Sequence, residues 1–176
     1  GTFLPVKSDE VGGHHMHTEH FEVTRTSIEN LIAHTGKIIA VGTTTVRTIE
    51  SLTSMGYRII CDGHPNARRP VGQWELYDIP ESLTGRQMLE SLAGYMRDNG
   101  LEKIKASTQI MIMPGYYFRI VNAIITNFHQ PKSTLLLLVS AFVGEHWRKI
   151  YEYALDNSFR FLSYGDSSLL IPDTKS

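Results

Sequence analysis

The pattern of apolar and polar residues switches repeatedly between helical spacing and short apolar runs along the chain. Helical spacing predicts helices at about 26–36, 46–56, 84–98, from 133 onward and at about 147–155. Apolar and β-branched runs predict strands at about 37–41, 57–61, 109–113, 121–126 and 160–163, after a short strand at about 21–23. Strands that alternate with helices predict an α/β fold, with a mostly parallel sheet and helices on both of its faces.

A segment between residues 62 and 82 interrupts this pattern. It contains Gly, Pro and Asn residues and the pair Arg68-Arg69, and it shows little periodicity. We interpret it as a surface loop of about twenty residues, a length at which loops are usually functional or disordered.

Composition narrows the classes of protein that fit the chain. There are 17 Lys and Arg against 18 Asp and Glu, so no overall charge draws the chain to nucleic acid or to an anionic membrane, and any such binding needs a local patch. Cys61 has no second cysteine to pair with, which fits a reducing compartment, and we expect a cytoplasmic location. The longest apolar run, 135–143, is too short to cross a membrane. Because the chain starts at Gly1 without a signal peptide, we expect it to begin inside a longer protein.

A turn at residues 42–45, Gly-Thr-Thr-Thr, joins a predicted strand to a predicted helix. Such a turn directs the first amides of the helix, and its positive dipole end, toward the carboxyl edge of the strand. Gly42, Thr43, Thr44 and Arg47 are therefore candidates for binding a carboxylate, a phosphate or another polar group. The alternative is that Thr44 only caps the helix and Arg47 is solvated.

Four histidines lie between positions 14 and 20, and His17 stands three residues after His14, close to Glu19. A zinc site is one interpretation, which would fit a metal-dependent hydrolase, although structural zinc usually uses cysteine ligands. Acid/base chemistry or polar recognition by His17 and Glu19 is the second, because imidazole titrates near neutral pH. An exposed polar loop without chemistry is the third.

Two more polar segments follow predicted strands. Asn127 and His129 come directly after one strand, and Ser133 then opens a helix. The last predicted strand ends in the same way at 163–166, where Asp166 belongs either to the site or to a plain turn. Because open α/β sheets bind ligands at the carboxyl ends of their strands, we expect both segments to meet the turn at 42–45 in one cleft. The loop at 14–19 is expected to join them.

Seven runs of residues, in order along the chain, resemble the S-adenosylmethionine:tRNA ribosyltransferase-isomerases of queuosine biosynthesis, the QueA family. They are Gly1-Thr2-Phe3-x-Pro5-Val6, His14-x-Met16-His17-x-Glu19, Ala40-Val41-Gly42-Thr43-Thr44-x-Val46-Arg47-Thr48-x-Glu50, Pro114-Gly115-Tyr116-x-Phe118, Ile125-Thr126-Asn127-Phe128-His129-x-Pro131-x-Ser133-Thr134-Leu135, Leu138-Val139-Ser140-Ala141-Phe142 and Phe161-x-Ser163-Tyr164-Gly165-Asp166. They cover almost all of the chain except about 55–107.

The resemblance implies that residues 1–176 are the C-terminal part of an α/β domain, a three-layer α/β/α sandwich that is incomplete here. An N-terminal part and an inserted β-barrel of the family precede the matching runs and are absent from this sequence. Relative to the family, the chain carries an inserted loop and helix at about 58–107. Thr45, Met113, Asn122 and Gln130 also depart from the family pattern. We expect the face that the missing part would cover to be exposed, and self-association to follow.

The implied reaction transfers the ribosyl part of S-adenosylmethionine to 7-aminomethyl-7-deazaguanine in tRNA, forms epoxyqueuosine and releases adenine and methionine. S-adenosylmethionine is the co-substrate, no metal is needed, and the partner is the tRNA, with no membrane. His17, Glu19 and His129 are our candidates for moving protons. Arg47 and the turn at 42–44 would suit a carboxylate or phosphate, and Tyr116 and Phe128 would stack on a base. A divergent or fragmentary homologue that binds an adenosyl ligand or RNA without catalysis is the alternative.

Overall fold

The computed structural model of the chain describes residues 16–172. In chain order the strands and helices of this part are β1 (Glu19–Thr24), α1 (Arg25–Ala33), β2 (Ile39–Val41), α2 (Thr43–Asp62), α3 (Gly85–Asp98), β3 (Lys103–Thr108), β4 (Ala123–Asn127), α4 (Thr134–Val143), α5 (His146–Asp156) and β5 (Ser167–Leu170). A short 3-10 helix, Glu75–Tyr77, lies in the long loop after α2. None of the helices in residues 16–172 has the length and apolar character to cross a membrane.

The strands of residues 16–172 form two small sheets, one mixed and one antiparallel. β4 lies between β2, which runs parallel to it, and β5, which runs antiparallel. β1 and β3 form a separate antiparallel pair, in which Glu19 lies opposite Thr108. The α/β class is confirmed, but the prediction of a mostly parallel sheet is wrong. Three of the strands predicted for it, 57–61, 109–113 and 160–163, are not strands. Of the strand pairings in residues 16–172, only that of β2 with β4 is parallel.

The predicted strand at 57–61 belongs to α2, which continues for 20 residues through Gly56. Gly56 does not end the helix, because it is the point where α2 meets α3. A Cβ atom at Gly56 would lie 2.0 Å from the carbonyl oxygen of Met88. The glycine thus permits close helix packing, and the apolar residues that follow it pack as part of a helix.

The residues at 109–113 are extended but pair with the long loop instead of with a strand. The amides of Gln109 and Met111 donate to the carbonyls of Val71 and Gln73, at 2.9 and 3.1 Å. The strand lies just before them, in β3. Residues 160–163 lie in a turn, and the last strand is β5.

The helices predicted at about 26–36, 84–98, from 133 onward and at 147–155 are confirmed as α1, α3, α4 and α5. Thr84 and Gln87 form a capping box at the start of α3, and the Ser133 hydroxyl accepts from the Leu136 amide at the start of α4. α1 begins at Arg25, one residue before its predicted start, because the Thr24 side chain caps it by accepting from the Ser27 amide.

Two buried charged residues of α2 attach the following loops to the helix. Arg58 donates to Glu75 at 2.6 and 2.8 Å and to backbone carbonyls of the long loop. Glu50 accepts four hydrogen bonds from the segment before β4, which are described below. α2 is therefore the element around which both loops are ordered.

Candidate functional site

A cleft of about 440 Å³ lies at the carboxyl ends of β2 and β4. Its lining comes from three separate segments of the chain. The residues are Val41, Gly42, Thr43, Thr44, Thr45, Thr126, Asn127, His129, Gln130, Ser133, Leu135, Leu162 and Ser163. The volume falls in the range of small-molecule sites, about 300–1,000 Å³. The prediction that the turn at 42–45, the segment from Asn127 and the 163 turn converge is confirmed by this lining.

Gly42 turns the chain from β2 directly into α2. Its φ of 84° lies in the region that side-chain-bearing residues rarely adopt, and its amide donates to the Ile125 carbonyl at 2.8 Å. Gly42 itself is the N-cap, without a side-chain cap. The alternative that Thr44 only caps the helix is therefore wrong. Thr44 is exposed on the cleft, whereas Thr45 donates to the Val41 carbonyl at 2.7 Å.

A second helix also begins at the cleft. Ser133, the N-cap of α4, lines the cleft together with Leu135. The first amides and the positive dipole ends of α2 and α4 thus lie at the same cleft. No Asp, Glu, Lys or Arg is among the lining residues of the described chain. The field inside comes from helix ends and neutral polar groups, which favours a ligand with an anionic group.

His129 is a titratable residue of the cleft lining, and its pKa is shifted by burial. Its Nε2 lies 2.9 Å from the Thr126 hydroxyl, and its backbone amide donates to the Tyr151 hydroxyl at 3.0 Å. Burial lowers the pKa of His129 to about 4. The imidazole is therefore neutral at pH 7, and the role of His129 in moving protons stays a prediction.

Asn127 and Asp166 hold the turn on one side of the cleft. Asn127 Nδ2 donates to the Gly165 carbonyl at 3.2 Å, and Asp166 accepts from the amide and side chain of Arg160, at 2.7 and 3.1 Å. These contacts favour the simpler of the two interpretations for Asp166, a residue that stabilises its own turn. Ser163 is the residue of this turn that lines the cleft with Leu162.

Glu19 and Arg47 form an ion pair outside the cleft lining, with 2.8 Å between Arg47 Nη1 and Glu19 Oε1. Arg47 is 2% exposed and donates from Nε to the Ile110 carbonyl, so the alternative of a solvated arginine is wrong. His17 is exposed and is also not part of the lining. We had expected these three residues to line the cleft, and the structure places them outside its lining. His14 and the runs at 1–6 lie outside the described residues.

Tyr116 and Phe128 are core residues. Tyr116 is 6% exposed and donates its hydroxyl to Glu50, whereas Phe128 is 3% exposed and packs in a cluster of aromatic rings. Neither ring lines the cleft. Because both rings are buried, neither has a free face for stacking on a base, which corrects the expected stacking role.

Sequence reasoning gave no role to Glu50 or Thr126, although both stand in the quoted runs. Glu50 accepts from the amides of Arg119, Ile120 and Val121 at 3.0–3.1 Å. Burial raises the pKa of Glu50, and these amides and the Tyr116 hydroxyl oppose the effect. Glu50 stands on the apolar face of a predicted helix. A carboxylate at such a position must be paired when it is buried, and this signal could have revealed its role.

Among residues 16–172, no three His, Cys, Asp or Glu side chains lie close enough to hold a metal ion. His14 and His15 lie outside this range. The expectation that no metal is needed stays a prediction.

The fold and the cleft define an α/β protein with a candidate small-molecule site at the carboxyl ends of its strands. Residues 1–170 match the profile of the queuosine biosynthesis protein family. The chain belongs to this family.

Similar proteins include two S-adenosylmethionine:tRNA ribosyltransferase-isomerases. The one from Cereibacter sphaeroides is 40% identical over 176 residues, covering 98% of this chain and 38% of the relative. The one from Vesicomyosocius okutanii is 36% identical over 174 residues, covering 97% and 38%. The chain thus spans less than two fifths of the length of these relatives.

A solved structure is similar as well. The crystal structure of S-adenosylmethionine tRNA ribosyltransferase from Thermotoga maritima superposes with a TM-score of 0.55 at 28% identity, covering 86% of this chain and 40% of that one. The shared architecture extends over most of the described elements.

Proposed function

We propose that this chain forms the S-adenosylmethionine-binding cleft of a tRNA ribosyltransferase-isomerase. The reaction would move the ribosyl group of S-adenosylmethionine onto 7-aminomethyl-7-deazaguanine in tRNA, form epoxyqueuosine and release adenine and methionine. The two relatives are named S-adenosylmethionine:tRNA ribosyltransferase-isomerases and the similar structure is an S-adenosylmethionine tRNA ribosyltransferase, and family membership supports an activity of this kind. The substrate tRNA would be the partner, and the cytoplasm its location.

The observation that carries the proposal is the pair of helix N-termini at one cleft. Gly42 and Ser133 begin α2 and α4 there, and both line the cleft. Their amides suit the carboxylate of a methionine group, and the hydroxyls of Thr43 and Thr44 offer further hydrogen bonds. The volume of about 440 Å³ suits a ligand the size of a nucleoside.

In this mechanism the protein's share is binding and orientation at the described cleft. The sulfonium of S-adenosylmethionine acidifies the adjacent ribose carbon, and departing adenine must accept a proton. With a pKa of about 4, His129 is a poor acceptor for the first proton at pH 7. We therefore assign His129 to the cleft, and we place the proton-moving groups outside the described lining.

The second candidate function is binding of an adenosyl ligand or RNA without catalysis. One observation favours it: among the described residues the cleft lining contains no carboxylate. Binding alone needs only the helix ends and the neutral donors. The two candidates differ in turnover and share the cleft.

Binding and turnover separate the candidates when both are measured on the same protein. The chain is titrated with S-adenosylmethionine by calorimetry, and then incubated with S-adenosylmethionine and an anticodon stem-loop that carries 7-aminomethyl-7-deazaguanine. Mass spectrometry of the RNA detects ribosyl transfer. Binding with a mass increase supports the transferase, and binding without one supports the second candidate. A chain that binds neither S-adenosylmethionine nor the stem-loop contradicts both candidates.

Thr44→Val tests the place of binding. Loss of one hydrogen bond to the ligand is expected to weaken S-adenosylmethionine binding by about 0.5–1.5 kcal/mol, roughly two- to twelve-fold. Thr26→Val is the matched control, because Thr26 is an exposed threonine of α1 that does not line the cleft. Equal affinities of the two variants would contradict binding at this cleft.

A further inference from the structure

We propose that two residues beside the cleft form a contact for single-stranded RNA: the ring of Tyr164 stacks on a base, and the ammonium group of Lys132 pairs with a phosphate. The proposal rests on the proposed function for the presence of RNA. Both residues lie outside the cleft lining, and their role is to hold the RNA while its modified base enters the cleft.

Tyr164 is the most exposed large apolar or aromatic side chain in residues 16–172, with 98% of its surface accessible. Base stacking needs an aromatic ring with an accessible face. Tyr116 and Phe128, the rings that the sequence suggested for stacking, are only 6% and 3% exposed. Tyr164 therefore offers the accessible ring face that those two residues lack.

The position of Tyr164 favours RNA over the small co-substrate. Tyr164 directly follows Leu162 and Ser163, which line the cleft, but it is not part of the lining itself. A ligand that only fills the volume of about 440 Å³ leaves the Tyr164 ring uncovered. A longer substrate, which places one nucleotide in the cleft and continues beyond it, reaches the residues next to the lining.

The turn that carries Tyr164 is held in one conformation. Leu162 has a φ of 70°, which is unfavourable for a bulky side chain, and its amide donates to the Phe128 carbonyl at 2.9 Å. A Cβ atom at Gly165 would lie 2.2 Å from the carbonyl oxygen of Arg160, so the turn needs glycine directly after Tyr164. An aromatic ring on a fixed turn loses less conformational entropy on binding than one on a mobile loop.

Lys132 supplies an unpaired positive charge beside the cleft. It is exposed and stands between Gln130 and Ser133, which both line the cleft. Within residues 16–172 Lys132 forms no ion pair, whereas Arg160 is paired with Asp166 at 3.1 Å. The ammonium group of Lys132 is therefore available for a phosphate oxygen.

An accessible aromatic ring together with an unpaired cation is the combination that binds single-stranded nucleic acid. The whole chain has 17 Lys and Arg against 18 Asp and Glu, so attraction for RNA has to come from such a local set of residues. Because Lys132 and Tyr164 adjoin two different segments of one cleft, we expect a short unpaired stretch of RNA to lie across it.

Substitutions at Tyr164 test the stacking. The anticodon stem-loop that carries 7-aminomethyl-7-deazaguanine is titrated with the wild-type chain and with its variants. We expect Tyr164→Ala to weaken RNA binding roughly five- to hundred-fold, and Tyr164→Phe, which keeps the ring, to stay within about two-fold of the wild type. Tyr153→Ala is the matched control, because Tyr153 is 63% exposed on α5 and does not line the cleft. Equal affinities of Tyr164→Ala and the wild type would overturn the stacking role.

A fluorescent base adds a readout that a general loss of stability does not imitate. 2-Aminopurine, whose fluorescence depends on stacking, is placed in turn at each loop position next to the modified base. At one position we expect saturating wild type and Tyr164→Phe to change the fluorescence, and saturating Tyr164→Ala to leave it near the value of free RNA. The same change with all three proteins at every position would show that no base stacks on Tyr164.

The phosphate contact is tested by the salt dependence of RNA binding. Lys132→Gln is expected to lower the slope of log affinity against log salt concentration by roughly 0.7–1, the value for one phosphate contact. Lys149→Gln, at an exposed lysine of α5, is the control and should keep the wild-type slope. An unchanged slope for Lys132→Gln would refute the contact.

Calorimetry with S-adenosylmethionine distinguishes failure of this inference from failure of the proposed function. We expect Tyr164→Ala to bind S-adenosylmethionine as the wild type does. If this variant loses S-adenosylmethionine affinity as strongly as RNA affinity, the ring contacts the adenine of the small ligand, and the RNA contact is refuted. If the wild type binds S-adenosylmethionine but no stem-loop, the inference fails while the S-adenosylmethionine cleft stands. If the wild type binds neither, both fail.

Discussion

Glu50 is a buried carboxylate that holds the segment just before β4 in place. It is fully buried and accepts from three successive backbone amides, 119–121, and from the Tyr116 hydroxyl. An ionised carboxylate has about four acceptor sites, which is enough for all four of these donors. The residue is structural, although it lies in one of the runs that resemble the family.

Glu50→Gln is predicted to destabilise the fold, because the amide group of Gln would face backbone N–H donors. Buried donors left without an acceptor cost about 2–3 kcal/mol. Chemical denaturation at pH 7 measures the change. Glu152→Gln, at an exposed position of α5, is the control and should change stability by less than about 0.5 kcal/mol. Equal stability of the two variants would mean that Glu50 is not the anchor of this segment.

His129 predicts how stability depends on pH. Its pKa in the folded protein is about 4, whereas an unfolded histidine titrates near 6.5. Between these values the unfolded state binds the proton and the folded state does not, so stability should fall as the pH falls from about 6.5 to 4. The loss attributable to His129 is on the order of 2–3 kcal/mol.

The comparison uses His129→Asn, which cannot titrate in this range. Its free energy of unfolding should decline less than that of the wild type between pH 6.5 and 4. Parallel declines of the two proteins would show that the imidazole is not neutral in the fold. Glu75, whose pKa is lowered to about 2, changes protonation mostly below this window.

The elements of the fold were predicted well where periodicity alone decides them. α1, α3 and α5 follow the 3.6-residue spacing, and α1, α3 and α4 begin at the polar N-caps Thr24, Thr84 and Ser133. The segments of the cleft were also predicted, because the carboxyl ends of strands carry the polar turns. The spacing could not predict whether a short apolar run forms a separate strand or continues the preceding helix. Residues 57–61 show this, since their helical state depends on α3.

Gly56 is the residue that decides the packing of α2 on α3. Gly56→Ala is predicted to destabilise the protein by about 1–3 kcal/mol, because the new methyl group would meet the backbone of Met88. Gly94→Ala is the matched control within α3. There the nearest atom is Arg97 Nη2 at 3.8 Å, so alanine should stabilise the helix by about 0.5–1 kcal/mol. Thermal unfolding of both variants checks the opposite signs, and a loss of the same size in both would contradict close packing at Gly56.

The site illustrates the same limit for single side chains. The sequence brought Gly42, Thr43, Thr44, Asn127, His129 and Ser133 to the site, and all six line the cleft. It also proposed Arg47, Tyr116 and Phe128, which the structure buries in contacts with Glu19, Glu50 and other aromatic rings. Which face of a helix or loop a side chain takes depends on tertiary partners that spacing does not reveal.

On the scale of the whole molecule, one face of the sheet β2–β4–β5 carries exposed apolar side chains. Ile39 and Val41 of β2 are 55% and 64% exposed, and Leu169 and Ile171 at β5 are 56% and 66% exposed. β2 is also an edge strand of this sheet. The chain spans 38% of its Cereibacter relative, so further chain is available in such proteins to cover this face.

Self-association of the 176-residue chain stays a prediction, and we expect it to occur through this exposed face. Sedimentation velocity is expected to show oligomers that dissociate on dilution. Ile39→Lys with Leu169→Lys should shift the chain to monomer, since charges on an exposed strand oppose edge and face pairing. The control is Leu155→Lys, at an exposed position of α5, which should leave the distribution unchanged. A monomer at every concentration would contradict the prediction.

The most direct test of the account is a crystal structure of the chain with S-adenosylmethionine bound. We expect the methionine carboxylate to lie at the N-termini of α2 and α4, in contact with residues 42–44 and Ser133, with His129 among the residues that contact the ligand. A ligand bound elsewhere, with the cleft between Gly42 and His129 unfilled, would contradict it.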